Sequence, residues 1–411
     1  MKNTYNLKRV KKAAIQLSQL TEKERNMFLE YLIDALLYNK NDIVKANKLD
    51  IKNARNNNML DAFIQRLTLN KKGIEKLIEK LNSLKDLTST IGSTLSSKKL
   101  RNGIVLRKIV VPLGVILIMY ESRPEVTIEA AALCVKSGNA VLLKGGSEAF
   151  FTNRILYTCI QKALRNAYLA QETIQLVEDR KEIGKLLKQS RYIDVVIARG
   201  GYDMVKNVMN QTNIAVLAHA SGGARIYIDK SADLKIINKI IINAKTSKSS
   251  ACNSLDTVLV HKDIALTLVP SLVKKLQAVG VKVLGDTVVN KLANTRKALQ
   301  SDWQTEFLGL TMGIKVVSDA EEAIDFINTY TKRHSEGIIA EDNKVISAFV
   351  NSIDAAGIFI NCSTRFHDGY EFGMGSEIGI ATGKLHARGP VGLKELTTYR
   401  WEVYGNGHIR E

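Results

Sequence analysis

Proline is scarce in this chain, with four in 411 residues, and no internal repeat or low-complexity tract appears, so no long disordered linker is expected. Cysteine is just as rare. Cys134, Cys159, Cys252 and Cys362 lie far apart with no C-x-x-C, which argues against a disulfide framework and a structural zinc site. The six histidines form no H-x-x-x-H or H-E-x-x-H pair, so no metal is expected. At 6%, aromatic residues offer no stacking platform for bases, and RNP, KH and zinc-finger patterns are missing. The longest apolar run, residues 109–120, is too short to cross a bilayer. MKNTYNLKRVKKAA has no signal-peptide core, so the expectation is a cytoplasmic protein without membrane association. The G-x-G-x-x-G dinucleotide fingerprint is also absent.

Charge of one sign, by contrast, is abundant. There are 59 basic and 41 acidic residues, net +18, but the lysines are spread along the chain. They read as a solvated surface that favours anionic small molecules, with no nucleic acid expected. A length of 411 residues and 45% hydrophobic content allow two or three domains with large cores.

The most informative stretch is VPLGVILIMYESRPEVTIEAAALCVKSGNAVLLKGGSEA, residues 111–149. It reads as strand, turn, helix, glycine stop, strand and glycine-rich turn, a βαβ unit. Pro124 suits a first helical turn, and Gly138 suits the position after a helix. The second strand delivers Lys144 into Gly145-Gly146-Ser147, at the carboxyl end where open α/β sheets bind ligands. Arg199-Gly200-Gly201 repeats that arrangement after a strand at 194–198. The first hundred residues carry helical stripes, including a capping box at Thr21 and Glu24, and are expected to form a layer on the sheet. Residues 89–111 read as an extended arm. Strands near 214–217 and 224–228 are read as completing the first doubly wound unit near residue 235, before a second α/β unit.

Cys252 lies in KTSKSSACNSLDTVLVH, a small polar segment between a predicted helix and a predicted strand, with Lys245 and Lys248 nearby. Positive surroundings favour the thiolate, the nucleophilic form. Cys134 and Cys159 fall on apolar helix faces instead, and Cys362 is a weaker candidate at a strand end.

These blocks, together with HSEGIIA and STRFHDGYEFGMGSEIGIATGKLHARGPVGLKELTTYRW, resemble the gamma-glutamyl phosphate reductase family, the phosphorylating glutamate-5-semialdehyde dehydrogenases of the aldehyde dehydrogenase superfamily, over essentially the whole chain. The resemblance implies NADPH-dependent reduction of L-glutamate 5-phosphate through a cysteine thioester, in proline biosynthesis. It implies an α/β, aldehyde dehydrogenase-like fold: two doubly wound α/β domains plus a β-arm for oligomerisation. Residues 1–88 and 112–235 would bind NADPH, 236–396 would be catalytic, and 89–111 with 397–411 would form the arm of a homo-oligomer. By the same resemblance Cys252 is the nucleophile, followed by Asn253 as a catalytic residue. Lys144, Gly145, Ser147, Arg199, Gly200, Gly201 and Glu306 would contact the cofactor. Arg123, Arg365 and Arg388 would bind the anionic glutamyl phosphate, since guanidinium forks suit carboxylate and phosphate.

Where oxidising relatives carry E-L-G-G, this chain reads Ala220-Ser221-Gly222-Gly223, without the base that activates hydrolytic water. The chain departs from the family at Glu125, where Asn is usual, at Ala198 and Ser249, where Pro is usual, and at Ala224-Arg225, where Cys-His is usual. Because a diffusing acyl phosphate is labile, a complex with glutamate 5-kinase is a further expectation. The alternatives are a related acyl-phosphate reductase, an oxidising aldehyde dehydrogenase, or a catalytically impaired, nucleic-acid-binding relative.

Overall fold

In the computed structural model, residues 5–219 and 221–410 are described, so Ala220 of the Ala220-Ser221-Gly222-Gly223 segment lies outside the described residues. Two parallel sheets dominate. In the five-stranded sheet the spatial order is Ile174–Leu176, Ala140–Lys144, Val115–Tyr120, Val195–Arg199, Ala215–His219. The order in which strands are added therefore reverses beside Val115–Tyr120, which makes the gap between its carboxyl end and that of Val195–Arg199 a topological switch point.

Val115–Tyr120 is buried along its whole length, as a strand covered on both faces must be. Ile116, Leu117 and Ile118 have no exposure, and each large apolar side chain so buried contributes about 1.5–3 kcal/mol. Helices Glu22–Tyr38, Glu125–Lys136 and Phe150–Asn166 pack on one face, while Leu7–Ser18 covers the other. The expected capping box is present, with Thr21 and Glu24 bonded reciprocally. Gly138 ends Glu125–Lys136 at φ +73°, where a Cβ would come within 2.7 Å of Pro112.

The seven-stranded sheet runs Arg296–Lys297, Lys282–Gly285, Thr311–Val317, Leu255–His261, Ala224–Ile228, Ser335–Ile339, Gly357–Ile360. Ala224–Ile228, read from sequence with the first sheet, pairs here instead, between Leu255–His261 and Ser335–Ile339. Its apolar run suits either sheet; only pairing partners distant in sequence decide. The chain crosses between sheets after Ala215–His219, ahead of the expected boundary near 235. A second difference lies at the C-terminus, where Ile378, Ala381, Val391, Leu393 and Leu396 return to the core of the first sheet.

Residues of the expected arm form a three-stranded antiparallel sheet, Thr94–Lys99, Val105–Pro112 and Thr397–Tyr404. Tyr399 and Trp401 are exposed on it, with the Lys108 ammonium 3.6 Å from the Tyr399 ring centre. No helix among the described residues is long and apolar enough to cross a membrane.

Candidate active site

The carboxyl ends of the first sheet face loops that enter the amino ends of the second, since Gly223 and Cys252 lie just before Ala224–Ile228 and Leu255–His261. Between them is a cavity of about 110 Å³ lined by Arg66, Glu121, Arg123, Arg199, Gly222, Cys252 and Glu306, among others. It sits at the switch point. Its rim is fixed by Ser122, which adopts φ +45° where the strand ends. Such a backbone persists only when neighbours over-determine it, and here the Ser122 N–H and Oγ both donate to Glu148 Oε1, at 2.5 and 2.8 Å.

The loop that carries Cys252 is held from three directions. Arg66 donates from Nε and Nη2 to the Ser250 carbonyl at 2.8 and 2.6 Å. The Gly223 N–H donates to the Cys252 carbonyl at 2.7 Å, and a Cβ on Gly222 would lie 2.3 Å from that oxygen. On the third side, the Thr364 hydroxyl donates to the Asn253 carbonyl at 2.8 Å. Cys252 is partly exposed, while Cys134 and Cys159 are buried. Burial pushes the Cys159 thiol up to about 11 and that of Cys134 higher still, leaving both inert. Cys362 is also raised by burial and lines neither cavity described here.

Arg66, Arg199 and Arg365 are each in electrostatic contact with Cys252, and cations at that range favour the thiolate. Burial lowers all three from the ordinary arginine range, and Arg66 reaches about 10.

The expected site residues fall into distinct places. Arg123, Arg199, Gly200, Gly201 and Glu306 join Cys252 around the cavity. Arg199 donates to the Ile378 carbonyl, tying the rim to the C-terminal segment. The Gly201 N–H donates to Glu121 Oε2 at 2.8 Å, and a Cβ on Gly200 would lie 2.6 Å from that oxygen, so a side chain there would push the Glu121 carboxylate aside. Lys144 ends the adjacent strand; its ammonium donates to the Gly145 carbonyl at 2.7 Å, and burial lowers its pKa. Gly145 is packed so closely that a Cβ would meet Asn153 Nδ2 at 2.2 Å, whereas Ser147 is exposed at the start of a short 3-10 turn.

Asn253 differs from its expected role. It is 3% exposed, its Nδ2 donates to the His367 carbonyl at 3.0 Å and its Oδ1 accepts from Arg365, so its amide is committed to bracing the loop. Arg388 lines neither cavity and pairs instead with Asp354 at 2.7 Å. Of the two lysines near Cys252 in sequence, Lys245 is buried against Asp256 at 3.6 Å, and only Lys248 faces open space. The altered Arg225 is buried as well, paired with Glu336 at 3.2 Å and donating to the Trp303 carbonyl at 3.3 Å.

Sequence reasoning missed Arg66, Glu121 and Glu377. Glu377, inside the GSEIG block, accepts from the Gly369 N–H at 2.8 Å and is in electrostatic contact with Cys252 and Arg199. Burial raises its carboxyl to about 7. Glu121 opens the ESRP segment of residues 111–149, and its place at a strand end was the available signal. Arg66, in helix Asp61–Leu67, carries none, because only the fold brings it to Ser250.

Beyond Arg66 and Arg123 opens a second cleft, of about 480 Å³, also lined by Lys80, Glu125, Lys248 and Arg365.

The aldehyde dehydrogenase family model matches residues 4–298. The gamma-glutamyl phosphate reductase of Petrotoga mobilis is 42% identical over 406 residues, covering 98% of this chain and 97% of the relative. That of Clostridium kluyveri is 43% identical over 407 residues, with 98% and 97% coverage. The crystal structure of gamma-glutamyl phosphate reductase from Thermotoga maritima superposes with a TM-score of 0.92 at 38% identity, covering 98% of this chain and 99% of that one.

Proposed function

This chain belongs to the aldehyde dehydrogenase family and, within it, to the gamma-glutamyl phosphate reductases, and we propose that it performs their reaction through a thioester at Cys252. The reaction is the reduction of L-glutamate 5-phosphate to L-glutamate 5-semialdehyde with release of phosphate, the second step of proline formation from glutamate. The observation that carries the assignment of Cys252 is its partly exposed thiol at the switch-point cavity, in electrostatic contact with Arg66, Arg199 and Arg365.

The thiolate attacks the acyl carbon, the carbon–oxygen bond to phosphate breaks, and phosphate leaves against the positive rim. A bound nicotinamide supplies the hydride that takes the thioester to the aldehyde level. Backbone donors of the braced loop hold the oxyanion, and collapse of the thiohemiacetal frees the aldehyde and restores the thiolate. Ala220 stands where oxidising relatives carry the glutamate that activates hydrolytic water, which supports reduction over hydrolysis.

The residues present fit a nicotinamide cofactor. Lys144 has donors left beyond its bond to Gly145, and it lies with Ser147 and the Gly200-Gly201 turn along neighbouring strand ends, with Glu306 on the cavity. A lysine with a small neutral partner there suits a 2′-phosphate, which supports NADPH over NADH. The exposed aromatic face of the three-stranded sheet supports a homo-oligomer, and the lability of the acyl phosphate supports a complex with glutamate 5-kinase in the cytoplasm. Absence of co-elution, and of any rate gain on mixing with the kinase, would overturn that last part.

The test runs the reaction backwards, following NADP⁺ reduction with glutamate semialdehyde in the wild type and Cys252→Ala. Expected is phosphate-dependent turnover that falls by roughly 10⁴-fold or more in the variant; turnover without phosphate would overturn the assignment.

A further inference from the structure

We propose that the larger cleft is the subsite for the amino-acid end of the substrate, with Glu125 receiving its ammonium group and Arg123 with Lys248 its α-carboxylate. This rests on the reading of Cys252 given above. Arg66 and Arg123 line both cavities, so the cleft opens directly from the nucleophile, and a short chain whose acyl carbon sits at Cys252 places its far end there.

The charges in the cleft divide into occupied and available. Arg66 is committed to the Ser250 carbonyl, Arg365 to Asn253 and Ser247, and Lys80 to Glu129 at 2.7 Å. Arg123 and Lys248 have no hydrogen-bond acceptor or ion-pair partner among the described residues. On the acidic side Glu129 is taken by Lys80, while Glu125 Oε2 is buried without a hydrogen-bond donor. A buried carboxylate oxygen left unpaired is costly, and a ligand that brings an ammonium group removes that cost. Desolvation by the cleft walls and the neighbouring Arg123 lower the pKa of Lys248, whose side chain stays open to solvent, while Glu125 pulls it back, so Lys248 and Glu125 sit within electrostatic reach of each other. Lys76, Glu79, Asp368 and Glu371 also line the cleft, but Glu125 is the carboxylate with a buried, unpaired oxygen, and beside Arg123 and Lys248 it complements an α-amino acid, which carries both signs on one carbon. It complements a plain aldehyde in no way.

The experiment measures phosphate-dependent kcat/KM on three aldehydes: glutamate 5-semialdehyde, 5-oxopentanoate, which lacks the ammonium group, and butanal, which lacks both charges. Wild type, Glu125→Gln and Lys248→Met are compared. The expected result is a loss of roughly 10- to 100-fold for Glu125→Gln on glutamate semialdehyde alone, with 5-oxopentanoate and butanal little changed. Lys248→Met is expected to lower both carboxylate-bearing substrates and spare butanal. Equal losses on all three substrates, or no loss, would overturn the subsite while leaving the reaction in place. A wild type that turns over butanal as well as glutamate semialdehyde would overturn both the subsite and the substrate assignment.

Discussion

The two cavities share Arg66 and Arg123, yet they hold their remaining charges differently. At the Cys252 cavity Arg66 is locked on the Ser250 carbonyl and Arg199 on the Ile378 carbonyl, and Arg123 alone of its three guanidinium groups is left to a ligand. In the cleft beyond, Arg123, Lys248 and the Oε2 of Glu125 have no hydrogen-bond partner among the described residues. Fixed dipoles and charges stabilise developing charge without reorganising, which suits the place where bonds change. Unpaired charges suit recognition, because the ligand completes them. The difference teaches that a residue's type says little about its job here; what it is already bonded to says more.

The largest expected effect comes from breaking a charge that is fully braced. Arg225→Met removes one partner of the buried pair with Glu336, both members of which are almost wholly unexposed. It is expected to cost about 3–5 kcal/mol, measured by urea denaturation. A change below 1 kcal/mol would show that the pair contributes little. Next is Gly222→Ala, whose new Cβ would lie 2.3 Å from the Cys252 carbonyl oxygen. Displacing the braced loop is expected to lower kcat by about 100-fold with the fold retained by circular dichroism.

A third prediction sharpens the contrast through pH. Burial raises Glu336 and Glu377 from 4.5 to about 7. Between those values the folded protein keeps protons that the unfolded chain has released, so the stability these two groups contribute is fullest below 4.5, falls as pH rises to about 7, and levels off above. Glu377→Gln is expected to flatten part of that slope; an unchanged slope would place the titration elsewhere. The smallest effect is expected from Arg388→Gln. Its pair with Asp354 is partly exposed, so less than about 1 kcal/mol should be lost and KM for glutamate semialdehyde should not move.

Much of the first sheet was legible in sequence. Val115–Tyr120 and Ala140–Lys144 are apolar runs bounded by turn residues, and the capping box at Thr21 is a local signal. Placement of Ala224–Ile228 was not legible, because its partners, Leu255–His261 and Ser335–Ile339, are remote in sequence. The site divided in the same way. Cys252 stood out by its local polarity, but Arg123 and Arg388 occupy equally suggestive blocks, and only tertiary geometry sends one to the cavity and the other to Asp354. Arg66 gave no signal at all, since a helix arginine becomes a loop brace only when the loop is folded beside it.

The return of Ile378, Ala381, Val391, Leu393 and Leu396 to the first core has a consequence for synthesis. The first sheet leaves the ribosome long before the segment that seals it. Its apolar surface therefore waits, uncovered, while the whole second sheet is made, and Thr397–Tyr404 pairs with Val105–Pro112 only after that. A ribosome that stops short of residue 378 leaves behind a unit with an open core, the kind of surface that chaperones hold and aggregates recruit.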